Sequence, residues 1–149
     1  MKMKTCLIAA ALGTSFLSTV PAFARDTKLM MRIESAMADN NARGRLGDSV
    51  KFYFGNQATP KILERLVIDQ TSQKTNSFGK TPERSCNWAF LSAMLQLQKR
   101  ALAVGANAVV NIVSNYGNVP MSSETEFECH DGAIMSGVAL KGEFVKVEQ

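Results

Sequence analysis

TPERSCNWAFLSAMLQLQKRALAVGANAVVNIV, residues 81–113, decides how this chain folds. Thr81 puts a hydroxyl at a helix N-cap, Pro82 suits the first helical position, and Glu83 places an acid in the first turn. Apolar side chains recur at Cys86, Phe90, Met94, Leu97, Ala101 and Val104, with Leu91, Leu95 and Leu102 widening the stripe. Spacings of three and four lay one broad apolar face along the helix. Lys99 and Arg100 fall in the last turns, where cations suit the dipole, and Gly105 supplies a left-handed stop. Residues 106–113 then read as a buried strand. A helix this apolar needs a sheet beneath it, so the pattern predicts an α+β domain: an antiparallel β-sheet packed on one long α-helix.

The flanks supply the rest of the sheet. Residues 28–33 can form a first strand, and residues 33–39 a short helix. Residues 39–44 are a turn by composition. Val50, Phe52 and Phe54 alternate with polar positions and predict a strand over 50–54. Residues 59–70 carry both helical and extended signals; the β-branched run predicts an extended segment at 65–70, followed by a polar loop at 71–80. Past the strand at 108–115, Gly117, Asn118 and Pro120 turn the chain. Residues 124–130 alternate as a strand, and Asp131-Gly132 signals a tight turn. A last strand spans 133–147. There Val138, Leu140 and Phe144 share one parity and Val145 and Val147 the other, which a bulge near Gly142 would reconcile.

The chain opens with a basic head, Met1-Lys2-Met3-Lys4, then an apolar run over 6–20 and the small residues of Pro21-Ala22-Phe23-Ala24. Those three parts make a cleaved signal peptide over 1–24, cut after Ala24, with one domain over 25–149 destined for the periplasm or the medium. The apolar run is shorter than a membrane span and is interrupted by Gly13, Thr14 and Ser15, so no membrane anchor is expected after cleavage. Removing the leader takes away Lys2 and Lys4 and leaves 15 basic against 13 acidic side chains. No concentrated basic stripe remains, and a nucleic-acid partner is not expected.

Cys6 leaves with the leader, so Cys86 and Cys129 remain. In an oxidising compartment two thiols permit a single pairing, Cys86 with Cys129; the alternative is two separate buried thiols.

Residues 102–110, LAVGANAVV, followed by SGVALKG at 136–142, resemble the YbjQ-type family, in which a glycine ends a helix and an A-[ND]-A-V-V strand follows. The same region is similar to the folded domain of the RcsF-like stress-sensor lipoproteins of the outer membrane. The likeness covers about residues 82–147. It implies the helix-on-sheet fold and a disulfide joining the helix start to a residue shortly before the last strand, positions comparable to Cys86 and Cys129. Association into rings in the YbjQ type implies a homo-oligomer. Unlike RcsF, the chain has no lipobox and no proline-rich linker after the cut, so the resemblance implies a fold rather than a tethered signalling role. A group of small exported bacterial proteins looks closer still, sharing K-L-M-M (28–31), G-D-x-V-K-F-Y-F-G (47–55), S-E-T-E-F-E-C-H (123–130) and G-V-A-L-K-G (137–142). Some of that group carry the label of an excinuclease ATPase subunit. A phosphate-binding loop needs a glycine five residues before its Gly-Lys-Thr, and before Gly79-Lys80-Thr81 that place holds Lys74.

Alternation over 124–130 puts Glu124, Glu126, Glu128 and His130 on one face and Phe127 and Cys129 on the other. Glu126, Glu128 and His130 are therefore the candidate ligands for a metal ion, weighed against a plain solvated face; neighbours about 7 Å apart let two of them share an ion but not four. His130 is the only histidine, and the serines near it in sequence lack a nucleophile-elbow context. Paired carboxylates at Glu126 and Glu128 are the basis for a hydrolase. With no nucleophile–base–orienter set, catalysis is not expected and no cofactor is implied. Trp88 extends the apolar stripe and fits the core or a subunit contact. Asn107, Asn111 and Asn115, four apart on a strand, would share a face at such a contact. The composite expectation is a non-catalytic envelope protein acting through protein contacts, then a metal-binding protein, then a hydrolase.

Overall fold

The structure is a computed structural model that describes residues 25–38 and 40–149. The leader expected over residues 1–24 lies outside the described residues. Six strands and three α-helices follow in the order β1 (Asp26–Arg32), α1 (Ile33–Ala38), α2 (Asn40–Leu46), β2 (Lys51–Phe54), β3 (Ile62–Asn76), α3 (Pro82–Val104), β4 (Ala108–Ser114), β5 (Glu126–Gly132) and β6 (Met135–Val147). The fold is α+β, with one long helix lying on a curled sheet. All strand pairings are antiparallel except β2 with β4, which is parallel.

Helix α3 begins and ends where its sequence signals it. The Thr81 hydroxyl accepts from the Arg84 N–H at 3.3 Å, and Gly105 closes the helix at φ 76°. The cap contributes about 1 kcal/mol. Cys86, Ala89, Phe90, Ala93, Met94, Leu97 and Ala101 are buried against the sheet. Arg100 does not serve the helix end; its guanidinium reaches Asp69 on β3 at 3.0 Å. A disulfide joins Cys86 to Cys129, clamping the helix start to β5.

Strand β6 holds the sheet together. One of its edges pairs with β3 along nearly its whole length. Its other edge is divided: Ser136 and Gly137 pair with β5, whereas Leu140 to Val145 pair with β4. The sheet therefore forks beside residues 137–140, with β5 and β1 on one branch and β4 and β2 on the other.

The parity change in β6 needs no bulge in that strand. Val138, Leu140 and Phe144 face the main core under α3, while Val145 and Val147 bury on the opposite side with Ala108 and Val110, flanked by Tyr53 and Ile62. The register break lies across from Gly142, between Val110 and Val113 of β4, where Asn111 takes φ 50°. A Cβ on Gly142 would stand 2.6 Å from Val109 Cγ1, so the glycine is there to let β4 come close.

Three other expectations are corrected. Residues 40–46 are helical rather than a turn, because Ala42 and Leu46, four apart, are buried against the core and override the local turn composition. Residues 71–76 belong to β3 rather than to a loop; their polar side chains sit on a strand whose backbone is satisfied by β6. Asp131-Gly132 is the end of β5, not the turn. Gly132 lies where a Cβ would meet Met135 O at 2.9 Å and Arg25 O at 3.1 Å, so close backbone approach is the reason for this glycine.

The asparagine series also separates. Asn107 exchanges two hydrogen bonds with the Val147 backbone, Asn115 donates to Gln70 Oε1 at 2.6 Å, and Asn111 is exposed at the bulge. Trp88 is half-buried against the core, with the Arg45 guanidinium 5.6 Å from its ring centroid.

Candidate functional site

The fork leaves β5 with an unpaired edge just beyond His130, and a cluster of polar side chains is built there. The Glu128 N–H, which has no strand to bond on that side, donates to Ser114 Oγ of β4 at 2.9 Å. Immediately after Ser114 the chain enters a short 3₁₀ turn, Tyr116–Asn118, which lays the Tyr116 ring on the outer face of β5. The rings of Tyr116 and His130 stack, centroids 3.5 Å apart and planes 5° from parallel.

His130 is held at both nitrogens. Nδ1 lies 2.8 Å from Asp26 Oδ1 on β1, and Nε2 lies 2.8 Å from Glu128 Oε1 on its own strand. The other Glu128 oxygen takes the Lys28 ammonium at 2.8 Å. The antiparallel register, Lys28 opposite His130 and Met30 opposite Glu128, sets these diagonal contacts. Both ring nitrogens of His130 are thus taken up by carboxylates from neighbouring positions of the two strands. Burial pushes the Glu128 carboxyl up, but hydrogen bonds and charge from Lys28 and His130 outweigh it and hold it below the usual carboxylate range. Tyr116 moves the other way: burial, then the negative charges of Asp26 and Glu128, raise its phenol above the ordinary value.

On the inner face of β5 a second polar group sits beside the disulfide. Asp131 is buried; it takes the Arg25 guanidinium at 2.5 Å and the Ser136 hydroxyl at 2.6 Å, with Ser85 Oγ 2.9 Å from Ser136 Oγ. This network ties β1, the start of α3 and the start of β6 together. It lies across the sheet from His130, so its serines have no imidazole to activate them.

Of the three residues singled out as metal ligands, the structure brings Glu128 and His130 into direct contact and leaves Glu126 exposed at the start of β5. Glu124 precedes the strand. The face they share is not simply solvated, since Glu128 is buried. Among the described residues no three His, Cys, Asp or Glu side chains converge on a point that could hold an ion. His130 offers its nitrogens in opposite directions, each to a carboxylate, and neither to a hydroxyl or thiol. The arrangement fixes β1 on β5; it presents no base to a nucleophile.

Asp26, Lys28 and Tyr116 were not among the sequence candidates. The first two carry a readable signal: the alternation Asp26, Lys28, Arg32 complements His130, Glu128 and Glu126 when the two strands run antiparallel. Tyr116 had none, because its place depends on the fork.

The second feature of note is an edge. Among the described residues β3 pairs only with β6, so its other edge meets no strand. From Val67 to Asn76 its register is unbroken. The Ser77 N–H bonds back to Ile134 O, whereas the Gln70 N–H turns to the Asp69 carboxylate, so odd-numbered residues face β6 and Gln70, Ser72 and Lys74 face outward. Proline, bulges and dense charge normally blunt such edges. This stretch has one lysine and no proline. Beside it Gln70, Ser72, Lys74, Asn115, Tyr116 and Ala139 line a shallow cleft of about 490 Å³.

Comparison with family models, curated proteins and solved structures finds no match to this chain. No helix among the described residues is long and apolar enough to cross a membrane.

Proposed function

We propose that this chain is an exported, non-catalytic domain of the bacterial envelope that binds an extended segment of another protein along the open edge of β3. The unbroken, weakly charged edge over Val67 to Asn76 carries the reading. Outward N–H and C=O groups spaced every second residue match a polypeptide strand and no smaller ligand. A leader pattern over 1–24 and a Cys86–Cys129 disulfide suit an oxidising compartment such as the periplasm. The likeness of residues 82–147 to YbjQ-type and RcsF-like domains, which include envelope stress sensors, favours a stress or maintenance role. Against a hydrolase stands the way both nitrogens of His130 are taken by carboxylates.

A photo-crosslinking residue at Ser72, in cells exporting the chain, tests this. Crosslinks to a partner protein are expected from Ser72 and not from exposed Leu102 on α3. Lys74→Pro, which removes one outward N–H and leaves the β3–β6 ladder intact, should abolish them. Equal crosslinking from both positions, or none from Ser72, sinks the proposal. A crosslinked product of twice the chain's mass would assign the edge to a homo-oligomer instead. Native mass spectrometry answers the metal reading: a stoichiometric ion lost in His130→Ala would replace the proposal with a metal site on Glu128 and His130.

A further inference from the structure

Eight large apolar side chains stand exposed among the described residues, and three of them meet at one end of the molecule. Phe78, 75 % exposed, tips the β3–α3 loop, and Ile134 and Met135 tip the β5–β6 hairpin. The two loops are pinned together: Ser77 N–H donates to Ile134 O and Ser77 Oγ to Gly132 O, both at 2.9 Å. Within the first loop the Phe78 N–H donates to Asn76 Oδ1 at 2.8 Å, and Gly79 makes the turn at φ 70°. The phenyl ring is thus held out by a rigid turn. Cys86, a few residues on, locks the same end to β5.

Cations surround this tip. Lys80 follows Phe78 by two residues, its ammonium bonded to the Asn76 carbonyl at 2.7 Å. Lys74 and Arg25 line the cleft that Ile134 and Met135 border. Arg25 is neutralised by Asp131, and Asp26, in the same cleft, is bonded to His130 Nδ1. Glu83 is the exposed carboxylate on the adjoining helix start. Lys74 and Lys80 take part in no ion pair among the described residues.

We infer that this end is a membrane-contact tip, in which Phe78 and Ile134 enter the interface of an anionic bilayer while Lys74 and Lys80 meet the phosphates. Apolar side chains projecting from a pinned turn, flanked by unpaired lysines, match the apolar–anionic layering of a lipid surface. A protein groove would match the apolar part alone. Each lysine near such a surface strengthens binding about fivefold, and each inserted side chain about tenfold or more. The contact is peripheral and reversible, and it does not rest on the β3-edge reading.

The test is co-sedimentation of the disulfide-bonded chain with vesicles of phosphatidylglycerol and phosphatidylethanolamine, against vesicles of phosphatidylcholine. Binding is expected to the first and to fall with added salt. Phe78→Ser and Ile134→Ser should each weaken it about tenfold, whereas Leu102→Ser, at another exposed apolar position on α3, should leave it unchanged. No sedimentation with anionic vesicles, or equal binding by the Phe78→Ser chain, overturns the inference. A vesicle-free change in sedimentation coefficient abolished by Phe78→Ser would overturn it in favour of self-association.

Discussion

The imidazole of His130 lies face to face with the phenol of Tyr116, planes 5° from parallel, although one residue sits on β5 and the other in the 3₁₀ turn that follows β4. The stack carries one branch onto the other and keeps the imidazole edge aimed at Asp26 and Glu128. Three side chains from two strands, Asp26, Glu128 and His130, thus meet beside one phenol ring.

Replacing that ring has a measurable signature. The Tyr116 phenol is held protonated beyond the ordinary value of 10.0, chiefly by burial and then by Asp26 and Glu128. Its contribution to stability is complete below that value and is lost as the pH rises through the folded value. Ultraviolet titration should show a late tyrosinate step that disappears in Tyr116→Phe. Tyr116→Ala, which removes the stack, should cost about 1 kcal/mol in urea unfolding near neutrality.

Glu128 gives the opposite pH dependence. Its carboxyl is more acidic folded than unfolded, despite the burial that opposes this, because Lys28 and His130 favour the charge. The stabilisation is present above the ordinary value of 4.5 and is lost as the pH falls through the folded value. Lys28→Met should move that loss to higher pH and cost about 1 kcal/mol, a modest figure because the Lys28 side chain is more than half exposed. Glu128→Gln should flatten the acid limb of a stability–pH curve from urea titrations.

At Gly142 the prediction is steric. An added methyl meets Val109 Cγ1 at 2.6 Å and Ile112 Cγ1 at 3.3 Å, inside a packed core. Gly142→Ala should cost about 1–3 kcal/mol. Adding Val109→Ala should recover part of that loss if the clash is the cause, which a double-mutant cycle in urea would show.

The disulfide closes a segment of sequence separation 43. On the chain-entropy account it is worth about 4 kcal/mol. Residues 25–149, denatured and unreduced, should label no thiol, and Cys86→Ser with Cys129→Ser should lower the urea midpoint accordingly.

Helix α3 was legible because its cap, stripe and stop all lie within 81–105, and β2 and β4 because their apolar residues alternate or cluster locally. The pairing of Cys86 with Cys129 followed from count and compartment. What the chain concealed was tertiary. Residues 71–76 carry loop-like side chains on a strand whose partner is some 60 residues away. Gly132 and Gly142 read as a turn and a bulge, yet both serve close approach of a neighbour. His130 and Glu128 stood out as charged residues on one strand; the lysine, aspartate and tyrosine that complete their surroundings come from β1 and the 3₁₀ turn, and only the register unites them.

Every strand that β6 joins precedes it in the chain: β3, β4 and β5 all wait for residues 135–147. Among the described strands β3 has no partner until residues 135–147 have been made, so the two branches of the sheet are joined to β3 only when β6 is in place.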